Sequence, residues 1–274
     1  MINYIREVNR AIGSSNTLAC RYCGTEFTGI RSTEFCPNCE LVVNYSGARA
    51  ADMNAERSAA LKSVCDAVRA GRYGDADSGF GSVIKGAEDP RYLYAYGIFL
   101  IGYSNYELTL ISYTRDGFME ENARHRSTST ELYARAMMMM HRCIDAISRN
   151  KDYYSSLELR YCLILAMIKV GNRRAAHIEL DGIDGMDPEG VVGSYARVVY
   201  SSYIGEYREA LALLRERFSS QRFTHNDIYY LSFSLFKTGN LSGSIGLSEI
   251  LAKSLGDARA NILLADIGRS VALD

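Results

Sequence analysis

The chain has 274 residues, 47% of them hydrophobic, and carries a formal net charge of −1 at pH 7. A chain of this length can bury a sizeable core and exceeds one small domain, and its near-zero charge gives no general attraction to nucleic acid or anionic lipid. Its apolar runs are interrupted by charged or strongly polar residues, so no transmembrane helix is expected.

The first predicted element is a short amphipathic helix within residues 1–14. Ile5, Val8 and Ile12 recur at helical spacing and share one face. This start lacks the basic region and apolar core of a secretion signal. We therefore expect a helix that packs on a neighbouring module, and a cytoplasmic location.

Four cysteines follow in two closely spaced pairs. Cys20 and Cys23 form the first pair, and Cys36 and Cys39 form the second, with twelve residues between the pairs. Four thiolates at this spacing can close tetrahedrally on one Zn²⁺, and because no coordination position is left for water, such a zinc would be structural. Residues 15–46 resemble a zinc ribbon.

Turn-forming residues accompany both pairs. Gly24 follows the first pair and Pro37 lies inside the second, as tight cysteine turns favour. Glu40 departs from the resemblance, because zinc ribbons usually carry glycine at this position. Two disulfides would need an oxidising compartment, and a thioredoxin-like pair would need one cysteine pair at the start of a helix. The doubled spacing favours zinc over both alternatives.

The composition changes after the predicted ribbon. Residues 46–51 predict a junction between modules, and from residue 51 the chain is rich in alanine and other helix formers. The remaining cysteines, Cys65, Cys143 and Cys162, lie in apolar helical patterns. They are expected to be buried free thiols in a reducing cytosol.

A repeat period runs through the carboxyl-terminal half. Gly171, Gly205 and Gly239 are each thirty-four residues apart. Five residues after each glycine comes a small residue: Ala176, Ala210 and Ser244. Glycine permits a tight turn between two helices, and the small residue lets the second helix approach the first. The period and the helix–turn–helix pattern resemble the tetratricopeptide repeat.

The resemblance assigns three units, at residues 157–190, 191–224 and 225–258. Pro188 closes the first unit, as the closing proline of the family does. Upstream, Gly71 followed by Ala76 and Phe80 repeats the turn pattern. A polar loop through residue 130 is expected between the two helices of the degenerate region.

Those two helices are predicted at residues 91–113 and 129–149, in two degenerate units. A final helix at residues 257–272 has charged residues among its apolar positions, as a terminal cap requires. The expected fold class is mainly α: a tetratricopeptide-like α-solenoid over residues 51–274, preceded by a small β zinc ribbon.

The resemblance also implies which positions line a concave groove. These are aromatic, apolar and lysine residues of the first helix of each unit: Tyr161, Leu165, Lys169, Tyr195, Val199, Tyr203, Tyr229, Phe233 and Lys237. An aromatic ladder suits an extended or helical peptide with apolar anchors. The alternative is that the tyrosines fill gaps between adjacent repeats. The Lys and Asn of the family's carboxylate clamp are replaced here, so that function is not implied.

The sequence contains no phosphate-binding glycine loop, nucleophile elbow or zinc-protease motif. We therefore expect a non-enzymatic adaptor that binds a partner protein or peptide, with the ribbon as a second docking module. The alternative is a nucleic-acid- or polymerase-associated factor that acts through the ribbon. Residues 15–46 contain Arg21 and Arg31 as their only cations, against three glutamates, and so suit phosphate poorly.

Overall fold

A computed structural model describes residues 3–43, 55–85, 89–111, 119–187 and 189–271, with the backbone alone at residues 55–59. The predicted junction at residues 46–51, the closing Pro188 and the last residue of the predicted cap lie outside the described residues. Within the ranges described, no helix is both long and apolar enough to cross a membrane.

The described chain is mainly α-helical, with a small β region near the amino terminus, which confirms the expected fold class. The strands are β1, Asn16–Ala19; β2, Glu26–Gly29; β3, Glu34–Phe35; and β4, Val42–Val43. The helices are α1, Tyr4–Ile12; α2, Ala55–Arg69; α3, Tyr73–Ile84; α4, Pro90–Thr109; α5, Met119–Arg149; α6, Lys151–Tyr154; α7, Leu157–Lys169; α8, Arg173–Ile183; α9, Val191–Ile204; α10, Tyr207–Ser219; α11, His225–Lys237; α12, Leu241–Ser254; and α13, Ala258–Val271.

The described residues group into two compact units. The first unit comprises those of Met1–Cys20, Thr25–Ala50 and Arg173–Asp274. The second unit comprises those of Arg21–Gly24 and Ala51–Asn172. The strands of the β region therefore belong to the same compact unit as helices that are far away in sequence.

The β region consists of two hairpins, and each hairpin encloses one cysteine pair. Strand β1 pairs antiparallel with β2, and β3 pairs antiparallel with β4. The backbone N–H of Cys20 donates to the carbonyl of Thr25 at 2.9 Å, and the N–H of Cys36 donates to the carbonyl of Leu41 at 2.9 Å. The two hairpins thus use the same hydrogen-bond pattern around their cysteines.

The predicted glycine turns are confirmed. Gly71, Gly171, Gly205 and Gly239 have φ values of +70°, +78°, +89° and +85°, in the left-handed region that glycine adopts without a steric penalty. After each glycine, the next N–H bonds the carbonyl five residues earlier, as from Arg72 to Ala67 and from Asn240 to Leu235. This is the Schellman helix ending, repeated at all four positions.

The predicted small residues are buried, and three of them, Ala76, Ala210 and Ser244, lie in the second helix of a packed pair. Ala76, Ala176, Ala210 and Ser244 have no exposed surface. Within each unit, neighbouring helices pack as pairs: α2 on α3, α9 on α10, and α11 on α12. In these three pairs, a side chain larger than alanine or serine would meet the neighbouring helix.

One expectation about the middle of the chain is wrong. The polar stretch through residue 130 is helical from Met119 and forms the first turns of α5, not a loop. Here the helix has a polar, exposed outer face, and His125 bonds Glu107 of α4 at 2.7 Å. Its polar composition therefore reflects one packed face and one solvated face.

The amino-terminal helix packs on the first unit, as expected. The ring of Tyr4 lies edge-on to that of Phe218, with centroids 5.2 Å apart, and Val8 has no exposed surface. Ile5 is 42% exposed, so only part of the predicted apolar face is buried.

We expect Ala210→Leu to lower the free energy of unfolding by about 1–3 kcal/mol, because it overpacks a fully buried crossing of α10. The matched control is Ala212→Leu, the same change at an exposed position of the same helix. Urea unfolding of both variants measures the difference. An equal effect at the two positions would show that the repeat register is wrong.

Candidate metal centre and its helix contacts

The four predicted ligands converge. Cys20, Cys23, Cys36 and Cys39 are all buried, and their Sγ atoms lie within 4.8 Å of one another. The Sγ atoms of Cys20 and Cys39 are 3.7 Å apart. Four thiolates placed about 2.3 Å from one tetrahedral ion stand about 3.8 Å from each other. The cluster therefore has the dimensions of a site for a single metal ion.

The two cysteine turns have matching backbones. Gly24 and Glu40, each directly after a pair, have φ values of +68° and +62°. In the second turn, the N–H of Asn38 points to the Cys36 sulfur at 3.4 Å, a contact that favours a thiolate. The residue type at position 40 departs from the usual glycine, but the backbone conformation does not.

The side chain of Glu40 explains why a strained residue stands there. A non-glycine residue in the left-handed region costs roughly 1–2 kcal/mol. Glu40 is buried, and its Oε1 accepts a hydrogen bond from the hydroxyl of Tyr230 on α11. Burial, followed by the charge of Glu40, raises the pKa of Tyr230 well above its usual value, so this hydroxyl remains a donor. Glycine would relieve the strain but remove the contact.

The second hairpin also contacts α11 and α9 directly. The Asn226 amide donates to the carbonyl oxygen of Cys36 at 3.2 Å and to the Tyr195 hydroxyl at 2.9 Å. The Phe35 ring stacks on the Tyr195 ring, with centroids 3.7 Å apart. The face of α9 that carries Tyr195 is therefore covered by the protein's own β hairpin.

Glu34 of β3 joins this hairpin to the first turn of α11. Its carboxylate accepts from the backbone N–H groups of Ile30, Arg31 and His225 at 2.7, 2.9 and 2.9 Å. Burial raises the pKa of Glu34 to about 7, against the lowering effect of the hydrogen bonds from the His225 and Ile30 N–H groups. An acceptor placed here caps the positive end of the helix.

The His225 ring continues the buried network. Its Nδ1 lies 2.8 Å from the Thr28 carbonyl oxygen, and its Nε2 lies 3.0 Å from a carboxylate oxygen of Asp257. These two contacts hold the ring between β2 and the residue before α13. Burial alone would raise the pKa of Asp257, but hydrogen bonds from His225 and Arg259 hold it below its usual range.

In the second unit, Tyr22 and Cys23 bond to helices of that unit. The Tyr22 hydroxyl donates to Glu158 of α7 at 2.5 Å, and Arg91 of α4 bonds the same carboxylate at 3.2 Å. The Cys65 thiol of α2 donates to the Cys23 carbonyl oxygen at 2.9 Å. The sequence reasoning did not find these contacts, because a local pattern does not reveal pairings over long sequence separations.

The nine residues of the predicted groove have different environments. Four of them have no exposed surface: Tyr161, Leu165, Tyr195 and Val199. Lys169, in the second unit, is half-buried. A side chain without exposed surface cannot contact a partner in this conformation, and the environment of Tyr195 matches the gap-filling alternative.

The other four predicted residues form what we call the aromatic surface: Tyr203, Tyr229, Phe233 and Lys237, on α9 and α11 of the first unit. Tyr203 is 45% exposed, Lys237 is exposed, and the other two are partly exposed. The rings of Tyr229 and Phe233 stack with centroids 6.2 Å apart, and the Lys237 Nζ lies 5.4 Å from the Phe233 centroid.

Comparison of the chain with protein-family models, with curated proteins and with solved structures gives no match. The resemblance to tetratricopeptide repeats therefore rests on the chain's own glycine turns, buried small residues and paired helices. The resemblance to a zinc ribbon rests on the two cysteine hairpins and their cluster.

We expect Tyr230→Phe to lower the free energy of unfolding by about 1–3 kcal/mol, because the buried Glu40 carboxylate loses a hydroxyl donor. The control is the same change at the adjacent, partly exposed Tyr229. Urea unfolding at a fixed metal concentration measures both. Equal stabilities for the two variants would contradict a role for the Glu40 contact.

Proposed function

We propose that the chain is a non-enzymatic adaptor that binds a partner protein or peptide through the aromatic surface, and that a single structural Zn²⁺ in the cysteine cluster stabilises the β hairpins beside it. The observation that supports the adaptor role is the aromatic surface itself. The support for zinc is the donor set of the cluster.

Zinc is the ion that suits four cysteines in two turns. Cysteine-only tetrahedral sites hold zinc without an open position, so the ion would stabilise the fold and take no part in chemistry. Strands of two residues, such as β3 and β4, are too short to be stable by themselves. Metal ligation would supply much of the folding free energy of the hairpins.

The aromatic surface suits an apolar anchor of a peptide segment. Partly exposed tyrosine and phenylalanine rings offer a large contact area at a small cost in side-chain entropy. The surface ends at a hollow of about 380 Å³ that is lined by the turn between α9 and α10, the first residues of α10 and the end of α11: Gly205, Glu206, Tyr207, Arg208, Lys237 and Thr238. In the tetratricopeptide interpretation, α9 and α11 are the first helices of successive repeats, which line one groove.

The nucleic-acid alternative receives no such support. Arg31, one of the two cations of the ribbon, donates to the Phe223 carbonyl oxygen at 3.3 Å and to the Gln221 side chain at 3.0 Å. Its guanidinium also lies 4.6 Å from the Phe223 ring centroid. The adaptor role is therefore the function that we propose.

We expect one zinc ion per chain in protein purified without chelator and under reducing conditions, measured by elemental analysis. Cys36→Ser should lower the zinc content and reduce part of the helical circular dichroism signal, because the second hairpin packs on α11. The control is Cys65→Ser, which changes a cysteine outside the cluster and keeps a donor for the Cys23 carbonyl. Purified protein without zinc, or with zinc unaffected by Cys36→Ser, would refute the assignment.

We expect Tyr203→Ala and Phe233→Ala each to weaken partner binding by about 1–2 kcal/mol, as truncated aromatic anchors do. Quantitative pull-down from native lysate identifies the partner, and titration with that purified partner measures the affinity. The control is Tyr133→Ala, which removes a 51%-exposed tyrosine from α5 of the second unit. If all three variants bind equally well, the aromatic surface is not the binding site.

A further inference from the structure

The second cysteine pair touches α11 through its own backbone and through its immediate neighbours. The Cys36 carbonyl oxygen accepts from Asn226, Glu40 accepts from Tyr230, and Glu34 accepts from the backbone N–H of His225. These contacts fall within the first two turns of α11. All of the atoms involved are buried, so each contact would leave an unsatisfied polar group if it were broken.

The strand pairing within the hairpin that makes these contacts is short. Its two strands pair over only two residues each, Glu34 with Val43 and Phe35 with Val42. Such a hairpin is not stable in water without further support. When a metal is bound, it ties Cys36 and Cys39 to the first pair and so fixes the turn between the strands.

The same helix carries most of the aromatic surface. Tyr229 is adjacent in sequence to Tyr230, and Phe233 lies one helical turn further on and stacks on Tyr229. Asn226 and Tyr230, which contact the second hairpin, lie at helical spacing from Phe233, so the hairpin contacts and the partly exposed rings follow one another along one face of α11.

We propose that metal binding at the cysteine cluster controls the order of α11 and thereby the presentation of the aromatic surface, so that loss of the metal switches the surface off. This inference rests on the proposed function of that surface. Loss of the metal frees the second hairpin, and the first turns of α11 then lose three buried partners.

Other contacts limit the effect to a local loosening. Arg217 pairs with Asp227 through two bonds of 2.7 Å, and Asp227 also accepts from the backbone N–H and the hydroxyl of Thr224 at the start of α11. None of these groups belongs to the second hairpin. The helix is therefore expected to open more often without metal while the unit stays folded.

Hydrogen exchange of the full chain, measured by mass spectrometry in reducing buffer, tests the inference. Removal of the metal with a chelator should raise amide exchange in α11 by at least about tenfold and change α5 little, because local opening sets the exchange rate. Addition of Zn²⁺ should restore protection. The proposal is overturned if α11 is unaffected after elemental analysis shows the metal to be gone, or if all helices lose protection equally.

A variant separates the hairpin contacts from the metal itself. Asn226→Ala combined with Tyr230→Phe keeps all four cysteines, and it should still bind one zinc while its α11 exchange responds less than about threefold to chelation. A response equal to that of the wild type would overturn the proposal. If the variant does not fold, as loss of protection in α5 would reveal, the wild-type comparison alone decides.

The exchange measurement needs no partner, so it fails or succeeds independently of the proposed function. If amide exchange in α11 depends on the metal but Tyr203→Ala and Phe233→Ala bind the partner normally, the metal orders α11 and the aromatic surface is not the binding site. If those variants bind the partner more weakly but amide exchange in α11 does not depend on the metal, the adaptor function is supported and the metal-dependent switch is refuted.

Discussion

The contact between the second cysteine hairpin and the start of α11 is the constraint that joins the β region to the helices of the first unit. Two strands of two residues each lie against a helix terminus, and the charged groups between them are buried. Buried charges are tolerated only when they are paired and hydrogen-bonded. Glu34 caps the helix, the His225 ring contacts the Thr28 carbonyl oxygen and Asp257, and Asp257 accepts from Arg259. Each group satisfies another, so the hairpin and the helix define one arrangement together.

Glu40 illustrates how this constraint acts on the choice of residue. A glycine would adopt the left-handed backbone of the second cysteine turn without strain, as Gly24 does in the first turn. A glutamate at this position is strained, but its side chain receives a buried hydrogen bond from Tyr230. Strained residues persist where the surrounding structure over-determines them. The two turns therefore share a backbone conformation. In the second turn, the residue after the cysteines, Glu40, also forms a hydrogen bond with Tyr230 of α11.

Tyrosine side chains occupy both buried and exposed positions in this chain, which has no tryptophan. Tyr195 is wholly buried between Phe35 and Asn226, where its ring fills space and its hydroxyl accepts a hydrogen bond. Tyr203, two turns later on the same helix, is 45% exposed. An amphipathic side chain of this size can occupy either position, so the repeat period alone does not distinguish a buried tyrosine from an exposed one.

Local chemistry determined the parts of this protein that the sequence alone revealed. Two closely spaced cysteine pairs define a four-cysteine cluster, because the spacing that brings such side chains together is short in range. Glycines at a thirty-four-residue period define the helix endings at Gly171, Gly205 and Gly239, because only glycine adopts the left-handed backbone without strain. The small residues five positions later follow from the same helical geometry, and all are buried as expected.

Only the tertiary structure decided which partners those local elements have. Glu34 and His225 are far apart in sequence, as are Cys36 and Asn226, and no periodicity connects them. Their pairing follows from which faces the helices leave available after they have packed on one another. The same packing buried Tyr195 and left Tyr203 exposed, although both match the repeat pattern. It also turned the polar stretch at the start of α5 into helix, since one buried face is enough to order a segment whose composition resembles that of a loop.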